Sequence, residues 1–194
     1  MPIIALCNLK GGTGKTTSAI YLATALARQD NPVVVLDADP QGSATEWAQQ
    51  AEDSGMPLDF EVLPANARSI TRVKAAPGEW IIIDCPPGES GIIDAAIQTA
   101  DHVIIPTRPS SIEVNRMWST TDLATATPTT VLLTSVIPNT NSQQELREAL
   151  AEEGIPTFKI GIPQREAIKK TFGQVPGKLH GYDTILAEIE KETN

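Results

Sequence analysis

Leu9-Lys10-Gly11-Gly12-Thr13-Gly14-Lys15-Thr16-Thr17 decides how this chain of 194 residues is read. The apolar run Ile3-Ile4-Ala5-Leu6-Cys7 precedes it and an Ala- and Leu-rich helical pattern follows, so the order is strand, glycine loop, helix. In that context the stretch is a phosphate cradle. Three glycines let successive backbone N–H groups curl around an anion, and the first helical turn adds unpaired N–H donors and the positive dipole end. Lys15 brings a cation to the terminal phosphates. Thr16 offers a hydroxyl to Mg²⁺, a small, hard ion that takes oxygen ligands. A strict phosphate loop has glycine five residues before Gly14, where this chain has Leu9, and a second lysine, Lys10, stands directly ahead of the glycines.

Outward from the loop, Ala19, Leu22, Ala23, Leu26 and Ala27 predict a helix over 15–29, broken by Asp30-Asn31-Pro32. Val33 to Leu36 is a β-branched run ending at Asp37, and Trp80 to Ile83 repeats that grammar before Asp84. Further strands are predicted over 58–63, 102–106, 129–136 and 157–162, and further helices over 43–53, 67–75, 91–99, 111–124, 142–153 and 182–192. Alternation of this kind predicts an α/β fold: a doubly wound, mostly parallel twisted sheet flanked by helices, with right-handed crossovers. Residues 1–194 are expected to form one domain.

Three clusters thus converge on the carboxyl edge of the sheet, where open parallel sheets bind ligands: the glycine loop, Asp37-Ala38-Asp39-Pro40-Gln41-Gly42, and Asp84-Cys85-Pro86-Pro87-Gly88. Asp84 is the expected partner of Thr16 in holding Mg²⁺, directly or through water. Alternatively, Asp84 caps the turn that follows it, and Asp37 and Asp39 cap the next helix.

Lys10-Gly11-Gly12-Thr13-Gly14-Lys15-Thr16-Thr17 resembles the deviant phosphate loop of the ParA/MinD family of ATPases. The resemblance runs from Ile3 to about Phe172 and is sharpest before residue 110. It implies ATP and Mg²⁺ as cofactors and an ATP-dependent homodimer, in which Lys10 reaches the nucleotide of the other subunit. It also implies that Asp39 positions the attacking water, that Asp37 lies near the magnesium shell, and that Asp84 to Gly88 is a second switch sensing the γ-phosphate. Ile162-Pro163-Gln164-Arg165-Glu166-Ala167 is similar to the family's adenine loop, with only Pro163 and Arg165 matching. The whole phosphate loop, Gly11, Gly12, Thr13, Gly14, Lys15, Thr16 and Thr17, would bind the nucleotide. The chain looks like the short, ParF-like branch, without the extra amino-terminal DNA-reading domain of larger relatives.

Charge narrows the partner. The formal net charge is −9, yet residues 159–178 hold Lys159, Arg165, Lys169, Lys170 and Lys178 against Glu166 alone, a local +4 on a remainder of −13. Non-specific DNA contact is expected at Arg165, Lys169, Lys170 and Lys178; a solvated helix face is the alternative. The acidic end, 182–194, differs from the basic amphipathic helix of membrane-bound MinD-type relatives, so no membrane partner is expected. There is no apolar run of about 18 residues and no charged leader ahead of an apolar stretch, which points to a cytoplasmic protein, associated with the nucleoid when ATP is bound. Cys7 and Cys85 read as reduced core thiols, and no metal-ligand spacing is present. Trp47, Trp80 and Trp118 are expected to pack against the sheet or at an interface.

The resemblance therefore implies a DNA-partitioning ATPase, released from DNA when a ParB-like or ribbon-helix-helix adaptor stimulates hydrolysis. One alternative is a ParA-like ATPase that positions a protein cargo of the carboxysome kind. Another is a metabolic ATP-dependent ligase on the same fold, which would have no use for Lys10.

Overall fold

The computed structural model describes residues 2–88, 91–109, 121, 126–137 and 141–193. The helix expected over 111–124 falls outside these residues except at Thr121, as does Trp118. Among the described residues, six strands form one parallel sheet: β1 (Ile3–Leu6), β2 (Val33–Asp37), β3 (Glu61–Pro64), β4 (Trp80–Asp84), β5 (His102–Thr107) and β6 (Thr129–Leu133), in the order β3-β2-β4-β1-β5-β6. The chain crosses over between β1 and β2, so the edge beside the first strand is where the strand order reverses.

Side-chain alternation along these strands divides the interior in two. Ile4, Leu6, Val35, Ile82, Ile104 and Leu132 pack under α1 (Lys15–Ala27), α2 (Ser43–Asp53) and the last helix, Tyr182–Thr193. Ile3, Ala5, Ile81, Ile83, Val103 and Val131 face α3 (Ala67–Ile70), α4 (Gly91–Thr99) and α5 (Asn141–Glu152). Both faces being covered explains why the strands read as continuous apolar runs. A short α6 (Glu166–Lys169) precedes α7 (Tyr182–Thr193). None of the helices among the described residues is long and apolar enough to cross a membrane.

Several expected bounds shift for local reasons. The first turn of α3 is closed by a capping box between Asn66 and Ser69, but only Ile70 is buried and the helix stops after one turn, well short of residue 75. Strand β6 ends at Leu133 because Ser135 turns into the left-handed region at φ 52°. Residues 157–162 do not form the expected strand. They run beside β6 through two isolated bridges, Val131 to Thr157 and Val136 to Pro163, and the prolines at 156 and 163 lack the N–H that a ladder needs. Cys7 and Cys85 are free and fully buried, with sulfurs 3.2 Å apart between neighbouring strands. Trp47 and Trp80 are buried as well.

Strands β5 and β6 are joined beyond their ladder by His102, whose Nε2 lies 3.0 Å from Thr130 Oγ1. Burial lowers the pKa of His102, so the folded state keeps a neutral ring while the unfolded chain gains a proton below about 6.5. Its contribution to stability is complete above that pH and is lost as pH falls. His102→Gln, which keeps a hydrogen-bonding group opposite Thr130, should raise the urea midpoint at about pH 5 relative to that at about pH 7.5 when compared with the parent, whichever way the other buried groups tilt the parental profile. An unchanged difference between the two midpoints would remove His102 from the pH dependence.

Candidate nucleotide site

The glycine loop joins β1 to α1 at the carboxyl edge of the sheet. Gly12 and Gly14 take φ of 76° and 95°, a region that costs L side chains about 1–2 kcal/mol, and Gly14 is the left-handed residue on which α1 begins. Two contacts fix the loop from outside. Asn8, fully buried, accepts from the Lys10 N–H at 2.9 Å and donates to the Pro106 carbonyl at 2.9 Å, tying the loop to β5. Thr134, just past β6, donates to the Thr13 carbonyl at 2.7 Å.

Lys15 is curled into the loop. Its ammonium donates to the carbonyls of Asn8 at 3.2 Å and Lys10 at 3.0 Å, and burial lowers its pKa against the opposing pull of Asp84. Below it lies Asp84, completely buried, with neither carboxylate oxygen hydrogen-bonded among the described residues. Burial raises the Asp84 pKa to about 7; the neighbouring Thr16 hydroxyl and Lys15 oppose the rise, while Asp37 and Asp39 add to it. An orphaned carboxylate beside a threonine hydroxyl is a hard oxygen donor set that fits a divalent cation such as Mg²⁺.

Asp37 is differently placed. One oxygen accepts from the Asp39 N–H at 3.3 Å, and the other accepts from the Thr45 N–H at 2.8 Å and its hydroxyl at 2.7 Å. Both oxygens of the aspartate expected near the magnesium shell are therefore engaged in holding the Asp37–Gly42 loop onto the start of α2. Asp39 accepts from the Gln41 N–H at 2.9 Å and faces a cleft of about 370 Å³ with Gly11, Gly12, Gly14, Lys15, Thr16, Thr17 and Pro87. A neighbouring cleft of about 170 Å³ is bordered by Thr134, Ser135, Pro163 and Arg165. The two clefts share Gly14, Thr17, Trp47, Arg108 and Phe172.

Of the expected phosphate-loop residues, Gly11, Gly12, Gly14, Lys15, Thr16 and Thr17 line the larger cleft, whose lining does not include Lys10 or Thr13, and Pro163 and Arg165 line the smaller one. Arg165 and Lys169 border the second cleft, while Lys170 and Lys178 lie on the exposed surface nearby in the chain; Lys169 pairs with Glu166 at 2.8 Å. Asn8, Arg108 and Thr134 are additions that sequence reasoning missed. Their shared signal was a polar residue at or just past the carboxyl end of an apolar run, the same position that singled out Asp37 and Asp84.

A parallel sheet with a glycine loop and a buried lysine and aspartate at its carboxyl edge defines a phosphate-loop nucleotide-binding protein. The chain belongs to the CobQ/CobB/MinD/ParA nucleotide-binding domain family, whose model matches residues 4–174. It is 36% identical over 166 residues to the maintenance of carboxysome distribution protein A of Gloeobacter kilaueensis, covering 82% of this chain and 76% of that protein. It is 28% identical over 191 residues to protein ParA of Rhizobium radiobacter, covering 93% and 86% respectively. Among solved structures, the Cyanothece McdA(D38A)-ATP complex matches with a TM-score of 0.78 at 20% identity, over 98% of this chain and 96% of that one.

The Asp84 carboxylate makes the nucleotide-free protein less stable at neutral pH than in mild acid. Because its folded pKa lies above the unfolded 3.8, stability falls as pH rises from about 4 to about 7, by on the order of 4 kcal/mol in full. Asp84→Asn should remove that fall and should also remove the Mg²⁺-dependent part of any nucleotide stabilisation. Denaturant midpoints at about pH 5 and about pH 8, with and without Mg²⁺ and nucleotide, measure both effects. An Asp84→Asn protein with the parental pH slope would contradict the buried-charge account.

Proposed function

We propose that the chain is a Mg²⁺-dependent ATPase whose ATP-bound homodimer holds non-specific DNA and lets go on hydrolysis, so that a cargo carried by an adaptor protein is distributed along DNA. The observation that carries this reading is the double-lysine phosphate loop set over Asp84 and beside an exposed basic segment. In this reading a triphosphate lies in the larger cleft and its adenine reaches the smaller one, between Pro163 and Thr134. Thr16 and Asp84 would hold a divalent cation, which would supply neutralisation of the phosphate charge.

The remaining work falls to the protein's own groups. Lys15 leaves its two carbonyl partners for the terminal phosphates, and Asp39 orients the attacking water from the cleft wall. Lys10 completes the site of a second copy. Positioning and charge neutralisation carry the acceleration, because phosphoryl transfer needs little covalent help. The protein works in the cytoplasm, on the nucleoid while ATP is bound, as one domain spanning residues 1–194. A ParB-like or ribbon-helix-helix adaptor supplies the stimulus for hydrolysis.

Two cargoes fit. A plasmid or chromosome is one, supported by the likeness to a ParA protein. A protein assembly is the other, supported by the 36% identity to a carboxysome distribution protein. DNA is the track in both.

Lys10→Ala should suppress ATP hydrolysis by at least tenfold while leaving nucleotide binding by the monomer largely intact, since Lys15 and the backbone cradle remain. Parental turnover in that variant would remove the second subunit from the reaction. Lys169 borders the smaller cleft and is paired with Glu166, so the cleaner test of the DNA surface changes Lys170 and Lys178 to Glu. That double variant should lose duplex DNA retention in a filter or gel assay. Retention at the parental level and with the parental salt slope, where each lost phosphate contact should lower the slope by about 0.9, would remove these lysines from the interface.

A further inference from the structure

Residues 171–177 form a strap between Lys170 and Lys178, and two helices hold it. From α1, the Tyr21 hydroxyl donates to Thr171 Oγ1 at 3.1 Å, and the Arg28 guanidinium donates to the carbonyls of Pro176 and Gly177. From α2, Trp47 Nε1 donates to the Gln174 carbonyl at 2.8 Å, and the Trp47 ring meets Phe172 with centroids 5.2 Å apart. Gly173 lies so close to α2 that a Cβ there would sit 2.8 Å from Gln50 Cβ. The helices touch one another edge-on through Tyr21 and Trp47, with ring centroids 6.4 Å apart.

Both helices begin at the nucleotide site. Helix α1 starts at Lys15 of the glycine loop, and α2 starts one residue after the Asp37–Gly42 loop, to which Asp37 binds Thr45. The strap is therefore anchored at once to the element that carries the phosphate cradle and to the element that follows the loop bearing Asp39. Any displacement of α2 relative to α1 must move the strap or break one of its two sets of contacts.

We propose that the 171–177 strap reads the spacing of α1 and α2, with Trp47 and Gly173 as the coupling contact, and so sets the position of Lys170 and Lys178 by nucleotide state. The role of those lysines rests on the DNA reading above; the mechanical coupling does not. Trp47 and Gly173 are positioning residues, acting on the lysines through the strap.

The test is hydrogen exchange on the full chain, saturated with Mg²⁺ and either ADP or a non-hydrolysable ATP analogue, joined to duplex DNA retention in the same states. In the parental protein, strap amides such as those of Gly173 and Gln174 should exchange differently in the two states. Trp47→Phe keeps a smaller aromatic ring at this position and removes the N–H donor. Gly173→Ala forces the strap off Gln50 at a φ of 74°, which alanine rarely adopts. Trp47 also borders both clefts, so each variant is brought to saturation by its own nucleotide-binding curve; at saturation both should abolish the strap difference, and the ratio of DNA retention between states should fall to about 1. The proposal is overturned by strap amides that exchange identically in both states of the parent. A difference that survives both substitutions also overturns it, since shielding by a second subunit would persist in that way. If the strap responds as expected but the parent holds no DNA in any state, the DNA reading fails and the coupling stands.

Discussion

A buried carboxylate whose oxygens lack a geometric hydrogen-bond partner among the described residues, close to a buried ammonium, is the constraint on which the rest of the structure depends. Asp84 and Lys15 sit in the fold as opposite charges, yet Lys15 spends its hydrogen bonds on two loop carbonyls and neither Asp84 oxygen is paired among the described residues. Removing charges from water without such compensation is costly, and the raised Asp84 pKa records the cost. A phosphate chain with its cation would satisfy both groups together. The site is thus electrostatically incomplete in a way that an anion and a hard cation complete. Two of the connections that hold it rigid meanwhile, Asn8 to Pro106 and Thr134 to Thr13, cross from the glycine loop to neighbouring strands.

Much of this was legible along the chain because the information is local. The strand, glycine loop and helix are adjacent in sequence, and the apolar runs ending in Asp37 and Asp84 reveal strands whose carboxyl ends carry polar groups. The scaffolding was not legible. Asn8 meets Pro106 across 98 residues and Thr134 meets Thr13 across 121, distances over which no pattern in the sequence pairs a threonine with a carbonyl. Asp37 shows the limit from the other side. Its position was plain, but its three bonds to Asp39 and Thr45 depend on how the loop folds back onto α2. The segment 157–162 had a strand's composition, and flanking prolines reduced it to two bridges beside β6.

The same fold serves proteins named for chromosome partition, plasmid partition and carboxysome distribution, so the fold alone does not decide between these roles. What the site can supply is a timed change of state. Two loops at the sheet edge feed two helices, and those helices grip one strap between surface lysines. A small rearrangement near Asp39 therefore has a mechanical route to a surface that would meet a polyanion. On the DNA reading proposed above, the overall charge of −9 adds discrimination, because the acidic body repels a polyanion while the basic segment attracts it.

Retention of the protein on non-specific duplex DNA with ATP, with ADP and without nucleotide, followed across a salt series, tests this account most directly. It predicts retention that requires ATP and weakens steeply as salt rises. Absence of retention in every nucleotide state, with ATP hydrolysis intact, would contradict it and leave an ATPase that works without DNA.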